Sequence, residues 1–318
     1  MREIFLFTLS PMLVMFICLL IGFMLNKARI LPKDASTVMA RLETYVFMPC
    51  LGFSTFMKYC TVESLKANKE IFIFSLVATT VAFIIAIPLS RAFENKDSYK
   101  RNIYKYALVF ANHGFMGNAI VPLIFGGSEH LYKYLLLTLP LNFTTYLWGI
   151  RVLTPPKSRS KNIFSNIINP PMIGLVLGVV AGLTGFGKTL PGYVITSVDS
   201  LQQCMGPVAM LLSGFIIGNY KITELLGNGK VYIATFLRLI ILPVIILTVL
   251  YFCGASNYIL MLALIAYATP LGLNTIVIPA AYGGETKIGA GMTIISTVLC
   301  TVTIPFLFSL LEVIIGKM

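Results

Sequence analysis

Ten apolar runs follow one another along this chain, joined by short polar connections. They lie at about 4–26, 35–58, 70–92, 103–126, 132–153, 168–186, 191–219, 230–253, 257–283 and 288–315. A helix of about 20 apolar residues spans the hydrocarbon of a bilayer. Lipid offers the backbone no other hydrogen-bond partners, so only helices or closed barrels can cross it. The expected class is therefore an all-α polytopic membrane protein with ten transmembrane helices. Only 11% of the residues are charged, against about 25% in soluble domains. The net charge of +12 does not point to nucleic acid. The Lys and Arg sit in short loops between apolar runs, as orientation signals do. Most fall on the side holding Lys27, Arg91, Arg101, Arg151 and Lys221. The positive-inside rule makes that side cytoplasmic and puts both termini outside, in a cell (inner or plasma) membrane. The first run is too long for a signal-peptide core and is read as a span. The six cysteines are scattered in apolar segments without CxxC spacing. They read as small hydrophobes, and neither a metal nor a cofactor is expected.

Two of the runs are wrong for plain helices. Phe110–Gly127, FANHGFMGNAIVPLIFGG, and Tyr267–Gly284, YATPLGLNTIVIPAAYGG, both carry Gly and Asn in the middle and a proline about a turn later. Each then ends in an aromatic residue close to Gly-Gly. Such breaks are tolerated at membrane depth only where protein or a cavity receives the freed backbone groups. Interrupted segments at matching places in two halves are the best sequence pointer to a transporter's binding site. Pro122 and Pro279 are the expected points of helix breakage.

The halves do match. Pro11 and Pro32 are as far apart as Pro170 and Pro191, and Pro49, Pro88 and Pro122 have counterparts in Pro207, Pro243 and Pro279. Thr138-Leu-Pro140 pairs with Thr303-Ile-Pro305 if the second half carries an insertion. Five spans per copy is odd, so the second copy must enter the membrane inverted. The expected organisation is a first repeat over 1–153, a basic cytoplasmic linker over 154–166, and a second, inverted repeat over 167–318.

These motifs resemble the auxin efflux carrier family, which includes plant auxin exporters and bacterial malate- or malonate-type permeases. LETYVFMPCLGFSTF in the second span is similar to the family's first-repeat proline helix. ANHGFMG in the fourth resembles its Asn-x-Gly-Phe-x-Gly signature. ATPLGLNTIVIPAAYGGE in the ninth and ISTVLCTVTIPF in the tenth are similar to its proline-asparagine crossover and its Ser-Thr…Thr-x-Pro ending. The resemblance covers nearly the whole chain. One position departs: where the family has proline two residues after the signature glycine, this chain has Ala119. The resemblance implies broken helices 4 and 9 crossing in mid-membrane and a carboxylate-bearing substrate held at the crossing. It also implies a transport part of spans 3–5 and 8–10 on a scaffold of spans 1–2 and 6–7, and often a homodimer.

An anion at the crossing needs compensation. Half-helix N-termini supply partial positive charge, and asparagine adds neutral donors. Asn112 and Asn274 match the family's crossover asparagines, and Asn118 is a third candidate. His113, Gly117 and Pro270 complete the expected substrate-binding set. Each asparagine could instead cap its own helix. Residues 107–125 and 263–282 contain no Asp or Glu, which suits an anionic ligand and disfavours a bound cation. His113 has two readings: a protonated partner of substrate, or a neutral ring spending one hydrogen bond inside the bundle. Asp199, Arg41 and Glu43 are ionisable groups within spans, read as supporting or gating residues. Arg238 is expected to snorkel to the interface. The Gly174, Gly178 and Gly182 stripe is expected to seat another helix of the same chain.

The expected function is a secondary transporter of small organic anions working by alternating access. A sodium- or proton-coupled symporter of bile-acid-type architecture is the alternative. An enzyme is not expected, because His113 and His130 have no acidic partner in register.

Overall fold

The computed structural model describes residues 2–158, 168–281 and 284–315. Residues 159–167 of the basic linker and 282–283 at the end of the second interrupted stretch lie outside the described residues. The described elements are helices, apart from one isolated antiparallel bridge. Five helices are long and apolar enough to cross a membrane: Phe5–Lys27, Lys69–Phe93, Gly192–Gly218, Gly229–Phe252 and Lys287–Ile314. His113–Phe125, Pro170–Thr184 and Asn257–Ala268 are shorter apolar helices. This is the build of a multi-pass membrane protein.

Several helices run through prolines. Proline removes one N–H and crowds the carbonyl four residues earlier. A wider, five-residue turn beside it can absorb that misfit. Such turns occupy Glu43–Phe47, two residues before Pro49, and Leu237–Ile241, two residues before Pro243.

Glycine sets the closest packing. A Cβ on Gly174, Gly178 or Gly182 would overlap backbone of Pro49, Phe53 or Cys60. The small-residue stripe thus seats Pro170–Thr184 directly on Met48–Tyr59 of the same chain. Gly22 and Gly214 do the same between Arg2–Lys27 and Gly192–Gly218, against Leu211 and Leu19. These four helices form one group. Lys69–Phe93, Ser98–Val109, Ser128–Thr144, Leu242–Phe252 and Asn257–Ala268 form a second, and Lys287–Ile315 joins the two, packing on Asn257–Ala268 and most extensively on Arg2–Lys27.

An ion pair fastens the first group. Lys58 Nζ lies 2.6 Å from Asp199 Oδ2. Ser54 donates to Asp199 Oδ1 at 2.6 Å and Gln202 donates to it at 3.2 Å. Asp199 therefore ties helix Met48–Tyr59 to the helix that carries it.

Candidate functional site

The two interrupted stretches meet. Helix Ser98–Val109 ends where Phe110 turns extended, at φ −106° and ψ 125°. Helix Asn257–Ala268 ends likewise at Thr269, φ −63° and ψ 156°. Between these ends Ala111 and Leu271 form the antiparallel bridge, and the Asn112 N–H donates to the Pro270 carbonyl at 2.7 Å. Each chain re-enters a helix at once, as His113–Phe125 and as Asn274–Ala281.

Each break thus receives part of what the other leaves unpaired, which is how irregular backbone survives away from water. Ser296 accepts the Leu271 N–H at 3.0 Å, and Asn112's carbonyl accepts from Met116 and Gly117. The N–H groups of His113, Gly114, Leu273 and Asn274 form no backbone hydrogen bond among the described residues. They are the orphan donors of two helix N-termini that begin within three residues of one bridge.

The expected breakpoints need correction. Pro122 lies inside helix Asn118–Phe125, and Pro279 inside Asn274–Ala281. The chain leaves the helix upstream, at 110–112 and 269–273. A helix can absorb a single missing N–H, whereas the bridge requires extended backbone on both partners. Of the named prolines only Pro270 stands at a break.

The three asparagines differ in commitment. Asn112 is buried, yet its side chain makes no hydrogen bond among the described residues. Asn118 donates Nδ2 to the Gly114 carbonyl at 2.7 Å, and its Oδ1 has no partner among the described residues. Asn274 donates Nδ2 to the Tyr106 hydroxyl at 3.0 Å. His113 is held at both ring nitrogens. Nδ1 is 3.1 Å from the Ala111 carbonyl, and Nε2 is 3.1 Å from the Asn142 side-chain amide. A carbonyl only accepts, so Nδ1 carries the proton. Turned about, the Asn142 amide donates to Nε2, and a neutral ring satisfies both contacts. Gly117 is required by a neighbour: a Cβ there would overlap the Tyr134 hydroxyl, which donates to the His113 carbonyl at 3.2 Å.

Two cavities flank the crossing along helix Gly192–Gly218. One, of about 350 Å³, is bounded by Asn118, Pro122, Gln202 and Pro207. The other, of about 430 Å³, is bounded by Arg41, Tyr45, Tyr220 and Ile276. Ala119, which stands where the resembling family has proline, is in the wall of the first, and a Cβ on Gly206 would meet it at 2.7 Å.

The structure brings Asn112, His113, Gly117, Asn118, Pro270 and Asn274 to this one place. It does not bring Asp199, Arg41 or Glu43 there. Asp199 is in the ion pair with Lys58, Arg41 is exposed on the second cavity, and Glu43 is buried with neither carboxylate oxygen hydrogen-bonded among the described residues. Arg238 contradicts expectation. It does not reach the interface but is 0% exposed, with its guanidinium carbon 5.9 Å from the centre of the Tyr267 ring. A signal for it existed: it is the one charged residue between Val231 and Gly284. Tyr106, Tyr134 and Ser296, which hold the breaks in shape, carried no such signal.

Residues 7–165 and 155–308 match the family described as membrane transport protein. An uncharacterized transporter of Methanocaldococcus jannaschii is 23% identical over 296 residues, covering 91% of this chain and 94% of that protein. The uncharacterized transporter YfdV of Escherichia coli K12 is 21% identical over 315 residues, covering 94% and 96%. With paired helix breaks in an apolar helical frame and a family match running nearly end to end, this chain belongs to the membrane transport protein family, of the auxin efflux carrier type.

Proposed function

We propose that the protein is a secondary carrier of small organic acids, working by alternating access, with the substrate's carboxylate held where the two breaks meet. The carrying observation is the Asn112–Pro270 hydrogen bond beside the Ala111–Leu271 bridge. It sets two helix N-termini against one spot, and partial positive charge there favours an anion. The uncommitted Asn112 side chain adds a donor, and no Asp or Glu lies within 107–125 or 263–282 to repel the ligand. The cavities on either side suit access from one face and then the other, with one helix group rocking on its partner.

The same reading takes 1–153 and 167–318 as inverted repeats joined by 154–166. It places them in the cell membrane with both termini outside, on the balance of Lys and Arg. His113 belongs to the frame of the site in this reading, since both ring nitrogens are already in use.

The test is uptake by purified protein in liposomes. The panel is labelled malate, malonate, succinate and indole-3-acetate, with imposed pH and sodium gradients. Saturable uptake of at least one acid is expected. Sodium movement with no acid carried would overturn the proposal in favour of a cation-coupled reading.

A further inference from the structure

We infer that Arg238 is the fixed positive counter-charge of the carried anion, acting on the crossing from inside the helix group that holds it. This rests on the carrier reading above.

Arg238 lies in the wide turn Leu237–Ile241, which packs against Ser98–Val109, Asn257–Ala268 and Lys287–Ile315. The first two of these helices end at the two breaks. Its guanidinium faces Tyr267, two residues before Thr269, where the second break starts. The turn that carries this cation thus packs on both of the helices that lead into the breaks.

Apart from the Tyr267 ring face, no group among the described residues answers that cation. Nε, Nη1 and Nη2 have no hydrogen-bond partner among the described residues, and Arg238 forms no ion pair among them. The hydroxyls of Thr235, Thr269 and Thr293, on segments packed around the same turn, are likewise unpartnered. Arginine does not give up its proton in proteins. A buried, unpaired guanidinium is strongly unfavourable, and the Tyr267 ring face offsets only part of that cost. An anion arriving at the crossing would offset more, in a region free of competing carboxylates. Ionisable groups kept inside a membrane bundle commonly mark a substrate path. A residue serving only to hold the fold would be expected to have its five donors bonded.

The experiment compares the full-length parent with Arg238→Met and Arg238→Lys in liposomes, using whichever labelled acid of the panel the parent carries. Arg238→Met should raise KM or abolish saturable uptake, by on the order of 30-fold or more. It should also raise the melting temperature, because an unpaired buried charge has been replaced by an apolar chain of similar length. Arg238→Lys should keep most of the uptake. The inference is overturned if the Met variant carries the acid with a KM close to the parent's. It is equally overturned if that variant is less stable than the parent or cannot be purified, since either result gives Arg238 a structural role. A Lys variant as inactive as the Met variant also overturns it. If the parent itself carries no acid, the carrier reading is what fails.

Discussion

The two breaks share a bridge but are built to different standards of fixity. The second is satisfied from several directions. Pro270 follows the exit at Thr269, Ser296 takes the Leu271 N–H, Thr275 donates its hydroxyl to the Gly272 carbonyl at 2.9 Å, and Asn274 is bonded to Tyr106. The first break is shaped by a wide turn, His113–Gly117, and by the Tyr134 hydroxyl resting on Gly117. At its head stands Asn112, whose backbone is fully used and whose side chain is not. A donor with no protein partner is available to a ligand, and a donor already bonded is part of the scaffold. The comparison assigns ligand contact chiefly to the first break and support chiefly to the second.

The largest expected effect follows from Asn112. Asn112→Ala should cut kcat/KM for uptake by about 100-fold, near the upper range for a hydrogen bond to a charged group. It should cost no more than about 1 kcal/mol of thermal stability, because no side-chain hydrogen bond to the described residues is lost. Reconstituted uptake with a parallel melting curve checks both. Undiminished transport would remove Asn112 from the site.

Gly117→Ala sharpens the same contrast from the structural side. Its methyl would displace the Tyr134 hydroxyl, an overpacking defect expected to cost about 1–3 kcal/mol. Here stability and uptake should fall together, and Tyr134→Phe in the same chain should restore part of both by removing the obstructing oxygen. Failure of that rescue would show that Gly117 answers some other constraint.

Asn274→Ala should behave oppositely to Asn112→Ala. It removes one hydrogen-bond partner of the buried Tyr106 hydroxyl, so a stability loss of about 1 kcal/mol is expected, with only a several-fold fall in uptake. If Asn274→Ala abolishes transport at unchanged stability, the assignment of the two breaks must be exchanged.

The smallest effect concerns His113. With Nδ1 on the Ala111 carbonyl and Nε2 on Asn142, a Gln in its place can still donate one hydrogen bond. His113→Gln should slow uptake by no more than about tenfold, roughly one lost hydrogen bond. The pH profile of uptake should keep its shape. A profile that flattens would return His113 to the role of proton partner.

Much of this comparison was visible in the residues, though not its decisive part. ANHGFMGNA and ATPLGLN announce two interrupted stretches because Gly, Pro and Asn act on the backbone within a few residues of themselves. The exact exit from the helix is not at Pro122 or Pro279, the places those residues suggest. Proline is the more conspicuous breaker, but the extended backbone is imposed by a partner strand more than 150 residues away. The distance of Arg238 from the end of its apolar run suits snorkelling to the interface. Its burial depends on helices Asn257–Ala268 and Lys287–Ile315, which the local sequence does not describe.

The amino-acid order by itself determined that this chain enters a membrane, roughly where its helices run, and which two of them are interrupted. Apolar length and backbone-breaking residues are properties of short stretches. Only the tertiary structure decided that Asn112 stays uncommitted while Asn274 is bonded, that Lys58 answers Asp199, and that Arg238 is buried beside Tyr267 with no ion pair among the described residues. Those outcomes depend on which polar group a distant helix presents once packing has excluded water, and periodicity and spacing leave no trace of that.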